Sequence, residues 1–272
     1  MTTLALAARD SRTMLRRSVR RMVRYPSLTL MLVGIPVVLL LLFVFVFGET
    51  LGAGITGAGT VGVGTGRTAY ADYLLPGLLL MTVAGAVQGT AIAVATDMTE
   101  GIVGRFRTMA ISRAAVLTGH VAGSVVQTAV GIVLVLGLAL LVGARPTAGP
   151  VQWLGAAGLL LLASVALIWL AVALGLQARS VETASNTPMV LVLLPFLGSG
   201  FVPTDSMPAG LRLFAEYQPF TPIIETLRGL LFGTPIGASG VLAVAWCVVI
   251  TAAGHLWSRR LYERASVRPR ER

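Results

Sequence analysis

"DMTEGIVGRFRTMAISR", residues 97–113, holds two acids and three arginines in seventeen residues. On either side the chain runs apolar for more than twenty residues, 73–95 before it and 114–142 after it. A spanning helix needs about 20 mostly apolar residues. The chain is therefore expected to cross a bilayer, surface at this charged island and cross back. That reading sets the fold class, an all-α polytopic membrane protein. It also poses the functional question of what grips the island.

Composition points the same way. Of 272 residues, 56% are hydrophobic and 12% charged, with a mean hydropathy of +0.85. A soluble domain carries roughly 25% charged residues, so this chain lacks the polar surface to cover a water-facing core. All 21 basic residues are arginine. A P-loop needs a lysine to reach the β/γ-phosphates, and in "GTVGVGTG", residues 59–66, Thr65 stands where that lysine belongs. The glycine run reads as a loop, and any ATP is expected to be bound by another chain. The single cysteine, Cys247, excludes an internal disulfide framework. His120 and His255 lie 135 positions apart, each near the end of an apolar segment, and read as membrane-boundary side chains. The net charge of +10 is explained by an anionic inner leaflet rather than by nucleic acid, because the arginines cluster beside apolar spans. No cleavable signal peptide is expected, since the first apolar run starts only near Leu28 and is long enough to stay as a span.

Six candidate spans follow: 28–47, 73–95, 114–142, 151–176, 187–202 and 236–257. The fifth, at sixteen residues and interrupted by Pro195, is marginal by length alone. Charge retains it. With six spans, seventeen of the 21 arginines fall on the side of the two termini, and only Arg67, Arg145, Arg212 and Arg228 fall opposite. The excess of arginine places both termini in the cytoplasm.

Residues 1–26 form a separate cytoplasmic unit. Leu15, Val19, Met22 and Val23 follow helical spacing while seven arginines fill the remaining arc, which predicts an interfacial amphipathic helix. Residues 27–258 are the spanning domain and 259–272 a basic cytoplasmic tail. The outer segment 203–235 has prolines at 203, 208, 219, 222 and 235, yet Leu211, Phe214 and Tyr217, then Ile223, Ile224, Leu227, Leu230 and Leu231, recur at helical spacing. Two short helices joined near 218–222 are expected. They are too short and too charged to cross, and irregular backbone at membrane depth is tolerated only when buried in protein or lining a cavity. Glu216, Pro219, Pro222, Glu225 and Arg228 are the candidate external gate, with Glu225 and Arg228 spaced to pair on one helix.

Two longer strings carry a resemblance. "LLPGLLLMTVAGAVQGTAIAVATDMTEGIVGRFRTMAISRAAVLTGHV", residues 74–121, is followed by "SGFVPTDSMPAGLRLFAEYQPFTPIIETLRGLLFG", residues 199–233. Together they resemble the type-2 ABC exporter permeases, and most closely the daunorubicin/doxorubicin-resistance branch. The specific marks are Leu-Pro-Gly at 75–77, the Asp97/Gly101/Arg105/Arg107/Arg113 pattern and the proline-rich string before Arg228. Ala110 departs from the proline common in relatives at that place. The resemblance implies six spans, an interfacial N-terminal helix, a re-entrant helix pair before the last span, and a pairing with a second copy or a homologous permease. It also implies that the first cytoplasmic loop docks on a separate ABC ATP-binding subunit, which would hold the ATP and magnesium; this chain would hold no cofactor.

The residues of the island fit that role. Glu100 early and Arg105, Arg107 and Arg113 late suit the dipole of a short helix. Gly101 permits close approach, and Phe106 between the arginines is an apolar anchor. Asp97, Glu100, Gly101, Arg105, Phe106, Arg107 and Arg113 are thus the expected docking set, with Arg179 and Glu182 of the next inner loop as a second candidate. Charges are avoided within the spans; Gln88, Gln127 and Ser199 are the polar candidates for lining a path. A path lined otherwise by Leu, Val and Met suits a hydrophobic or amphiphilic cargo, such as a drug-like small molecule. The expected function is the path-forming subunit of an efflux exporter in a bacterial plasma membrane. The alternatives are a related permease for polysaccharide or lipid export, and a membrane-embedded lipid-modifying enzyme. The enzyme would need gathered carboxylates or a metal site, and Glu49 and Asp72 are parted by the glycine run.

Overall fold

The computed structural model describes Arg24 and residues 26–50, 66–99 and 113–267. The expected N-terminal amphipathic helix, the segment 100–112 and the last five residues lie outside that set. Among the described residues no strand occurs. That outcome follows from the medium, because a bilayer core offers backbone groups no water, and a helix satisfies them within itself.

We number the helices in chain order. They are α1 (Pro26–Phe45), α2 (Arg67–Thr99), α3 (Arg113–Val142), α4 (Pro150–Gln177), α5 (Val181–Asn186), α6 (Met189–Leu193), α7 (Ala209–Tyr217), α8 (Phe220–Phe232) and α9 (Ser239–Val267). Short 3-10 turns cover Leu194–Leu197 and Thr204–Ser206. Four helical stretches are long and apolar enough to cross a membrane: Arg67–Thr99, Thr118–Val142, Pro150–Gln177 and Ser239–Glu263. Two further apolar stretches, Leu32–Phe45 and Val181–Leu197, are shorter.

The organising element is α2. Its 33 residues span about 50 Å at about 1.5 Å each, more than the ~30 Å hydrocarbon thickness. It extends beyond the expected span 73–95 at both ends. Residues 69–84 are buried without a break, so this half of the helix is enclosed on every side rather than along one stripe. Helices α1, α3, α4, α5 and α8 all pack on it. At two close approaches between helices, one partner contributes a glycine. A Cβ on Gly175 of α4 would lie 2.7 Å from the Ala91 carbonyl oxygen of α2, and one on Gly254 of α9 2.8 Å from the Leu170 nitrogen of α4. Small residues serve this purpose where lipid supplies no hydrophobic drive between helices.

Two expectations are adjusted by the backbone. The stretch 187–202 is not one helix: α6 passes into the 3-10 turn Leu194–Leu197, and residues 198–202 are turn or bend. Pro195 supplies no N–H to continue an α-helical ladder, and the backbone of Gly198 is extended. The last helix runs on to Val267, past the end of the expected span 236–257, so Arg259 and Arg260 sit on α9 itself. The segment 203–235 does hold two short helices, α7 and α8, parted by Gln218 and Pro219. At 9 and 13 residues, about 13 and 20 Å, neither reaches across a bilayer.

Candidate functional site

The two ends of α2 carry the polar contacts that matter. At one end, the turn at residues 198–201 lies directly against the helix. Gly77 faces Gly200 so closely that a Cβ on Gly77 would sit 2.6 Å from the Gly200 carbonyl oxygen. The Leu-Pro-Gly string therefore has a physical reason: only glycine lets this backbone approach. Tyr73, one turn away, donates its hydroxyl to the Ser199 carbonyl at 3.0 Å. Phe201 lies among Phe196 and Phe43, with ring centroids 4.4 and 5.4 Å apart.

Arg228 of α8 closes the junction. Its side chain is only 5% exposed. The guanidinium donates to Glu225 Oε1 at 2.6 Å, to the Ser199 carbonyl at 2.8 Å and to the Tyr73 carbonyl at 3.3 Å. It also lies 4.1 Å from the centroid of the Tyr73 ring, a cation–π contact. One side chain thus joins α8, the 198–201 turn and α2. The expected Glu225–Arg228 pair is present, but Glu225, 35% exposed, forms only the outer edge of the cluster. Gln218 donates to the Leu194 carbonyl at 3.0 Å, and Thr221 Oγ1 accepts from the Ser199 N–H at 3.4 Å. Among the described residues, Arg228 Nε, Ser199 Oγ and Gln218 Oε1 are buried with no hydrogen-bond partner.

The other expected gate residues divide. Pro222 lies buried in the first turn of α8, and its carbonyl accepts from the Thr226 hydroxyl at 2.7 Å. Pro219 sets the start of that helix. Glu216 is away from the buried cluster: it pairs with Arg212 at 2.7 Å, and Arg212 also meets Asp205 at 2.7 Å, all at the surface. The hydrogen bond to Glu216, then the nearby Asp205 and Glu216 charges, raise the Arg212 pKa above its ordinary value. Nearby, the buried Asp72 accepts from the Arg145 backbone N–H at 2.6 Å and so fixes the α3–α4 connection onto α2. Glu49 pairs with Arg67 at 2.9 Å. These two carboxylates are separately engaged and form no acid–base pair. No group of three or more metal-ligating side chains gathers among the described residues.

At the opposite end of α2, Asp97 meets His120 of α3 at 3.1 Å. Asp97, a member of the expected docking set, lies within the helix and is buried there. Arg113 begins α3, while Glu100, Gly101, Arg105, Phe106 and Arg107 fall outside the described residues. Of the polar path candidates, Gln88 donates to the Ser185 carbonyl and hydroxyl at 3.1 and 3.2 Å and so ties α2 to α5. Gln127 is half-buried near the middle of α3, and Ser199 belongs to the Arg228 junction. Tyr73, Gly200, Gln218 and Thr221 were not singled out from sequence. The apolar run of a span hides Tyr73, and the hydrogen-bond acceptor of its hydroxyl lies 126 positions away.

Residues 9–232 match the ABC-2 type transporter family. The chain belongs to that family. This ABC-2 chain is 27% identical over 231 residues to the daunorubicin resistance ABC transporter permease protein DrrB1 of Streptomyces coeruleorubidus, covering 85% of this chain and 77% of that one. It is 22% identical over 177 residues to the probable doxorubicin resistance ABC transporter permease protein DrrC of Mycobacterium tuberculosis, covering 62% of this chain and 64% of that relative. An ABC-2 chain is the membrane subunit of a transporter and not itself an enzyme. Family membership implies an ABC ATP-binding partner. The Arg228 junction and the Asp97–His120 pair are therefore features of a transport protein, at opposite ends of one helix.

Proposed function

We propose that this chain forms the translocation path of a bacterial plasma-membrane exporter that moves hydrophobic or amphiphilic compounds outward, driven by a separate ATP-binding subunit. The observation that carries the proposal is the match of 9–232 to the ABC-2 family together with relatives named as daunorubicin and doxorubicin resistance permeases. The apolar character of the spans supports an amphiphilic cargo over an ion. In this reading α1 and the run Val181–Leu197 complete six crossings, with both termini cytoplasmic and residues 203–235 outside. The chain pairs with a second copy or a homologous permease.

The segment 100–112, with Arg105, Phe106 and Arg107, is the docking surface for the ATP-binding subunit, and Arg179 and Glu182 add a second contact. The Arg228 junction is the outer gate. Movement of the docking surface shifts α2, and the far end of α2 carries the Gly77 and Tyr73 contacts that hold the 198–201 turn. Opening separates that turn from the helix. The long, enclosed α2 supports this coupling, because a continuous helix passes displacement along its length.

The test is co-purification of the chain with an ABC ATPase, followed by measurement of ATP hydrolysis with added compounds. The expected result is hydrolysis that rises with amphiphilic drugs such as daunorubicin. A complex whose ATPase ignores every amphiphile, yet responds to a polysaccharide precursor, would replace the proposed cargo.

A further inference from the structure

We infer that the Asp97–His120 pair is a positioning clasp that makes the inner ends of α2 and α3 move together when the docking segment is displaced. The inference rests on the reading of 100–112 as the docking segment and names two residues through which that segment would act. Asp97 sits two residues before α2 ends at Thr99, and His120 two turns into α3, which begins at Arg113. Their contact at 3.1 Å joins the helices that flank the docking segment. Both side chains are largely withdrawn from solvent, at 10% and 22% exposed, so the contact is little screened by water.

The chemistry suits a clasp better than a docking contact. A carboxylate meant for a partner's surface would face outward, whereas Asp97 is buried against its neighbour helix. Removing either side chain breaks the contact that joins α2 to α3 at this end. With the pair intact, a push on the connection is delivered to two spans at once. Without it, the two inner ends can move by different amounts, α3 yielding more than α2, which is also held to α5 through Gln88 and Ser185. Part of each ATP-driven displacement is then lost between the two helices.

The test uses the full chain in complex with its ATP-binding subunit, reconstituted in vesicles, with daunorubicin as the transported probe. Transport per ATP hydrolysed is compared for the native chain, Asp97→Asn, His120→Asn and the exchanged double variant Asp97→His/His120→Asp. The ratio is taken per assembled complex, so a variant that accumulates poorly still reports. The expected result is that both single variants keep the complex and its ATPase, while transport per ATP falls about fivefold or more, the lower end of usual coupling strengths. The exchanged variant recovers most of that loss, which a mere weakening of the fold would not produce. A single variant with the native ratio, or an exchanged variant no better than the singles, overturns the clasp while leaving the exporter reading intact. A native complex that moves no probe overturns the exporter reading and the clasp with it.

Discussion

Arg228 is a cation withdrawn from water, and among the described residues it shares that burial with two acids, Asp72 and Asp97. Placing an arginine at the centre of a membrane helix is unfavourable by roughly 2.5–3.5 kcal/mol on insertion scales. Glu225, two backbone carbonyls and the Tyr73 ring offset that here. Truncation of a buried ion pair on one side destabilises by about 3–5 kcal/mol, so Arg228→Ala is expected to fall in that range, read as the loss of thermal stability of the solubilised chain. Glu225→Ala, at the wetter edge, is expected to cost clearly less. Arg228→Lys should land between, since a point charge cannot replace a planar fork that reaches three acceptors. Gly77→Ala is a second residue-scale test. Its new methyl would meet the Gly200 carbonyl at 2.6 Å, and overpacking of this kind costs about 1–3 kcal/mol. Gly34→Ala has nothing within 4 Å and should leave the same melting curve unmoved.

Among the elements, the helices long and apolar enough to cross were legible because about 20 apolar residues in a row leave the backbone in a bilayer no other solution. The pair α7 and α8 was legible from prolines bracketing a helical period. The break at Leu194–Leu197 was only partly so: Pro195 announced an interruption, but α5 and α6 on the near side of it were read as loop and span. The junction itself could not be read. Tyr73, Ser199 and Arg228 come from three distant stretches, and no periodicity links them. The contact of Asp97 with His120 is hidden for the same reason, because His120 lies across the connection on α3. The short α5 offers its own check. Ser180 caps it by accepting from the Thr183 N–H at 3.2 Å, so Ser180→Ala is expected to destabilise that helix by about 1 kcal/mol. If residues 177–185 contribute to docking, the same change should raise the off-rate of the ATP-binding subunit without abolishing the complex. Reversal of both Arg105 and Arg107 to Glu is expected to abolish it, as seen by loss of co-purification.

For the molecule as a whole, arginine distribution, an enclosed central helix and family membership lead to one account. In the function proposed above, a chain without a lysine for a P-loop supplies a path and a gate, while another subunit supplies the force. Reconstitution of the purified chain into vesicles, with and without an ABC ATP-binding subunit, tests this most directly by following daunorubicin against its gradient. The account predicts uphill movement only when the partner and ATP are both present. Uphill pumping by the isolated chain would contradict it.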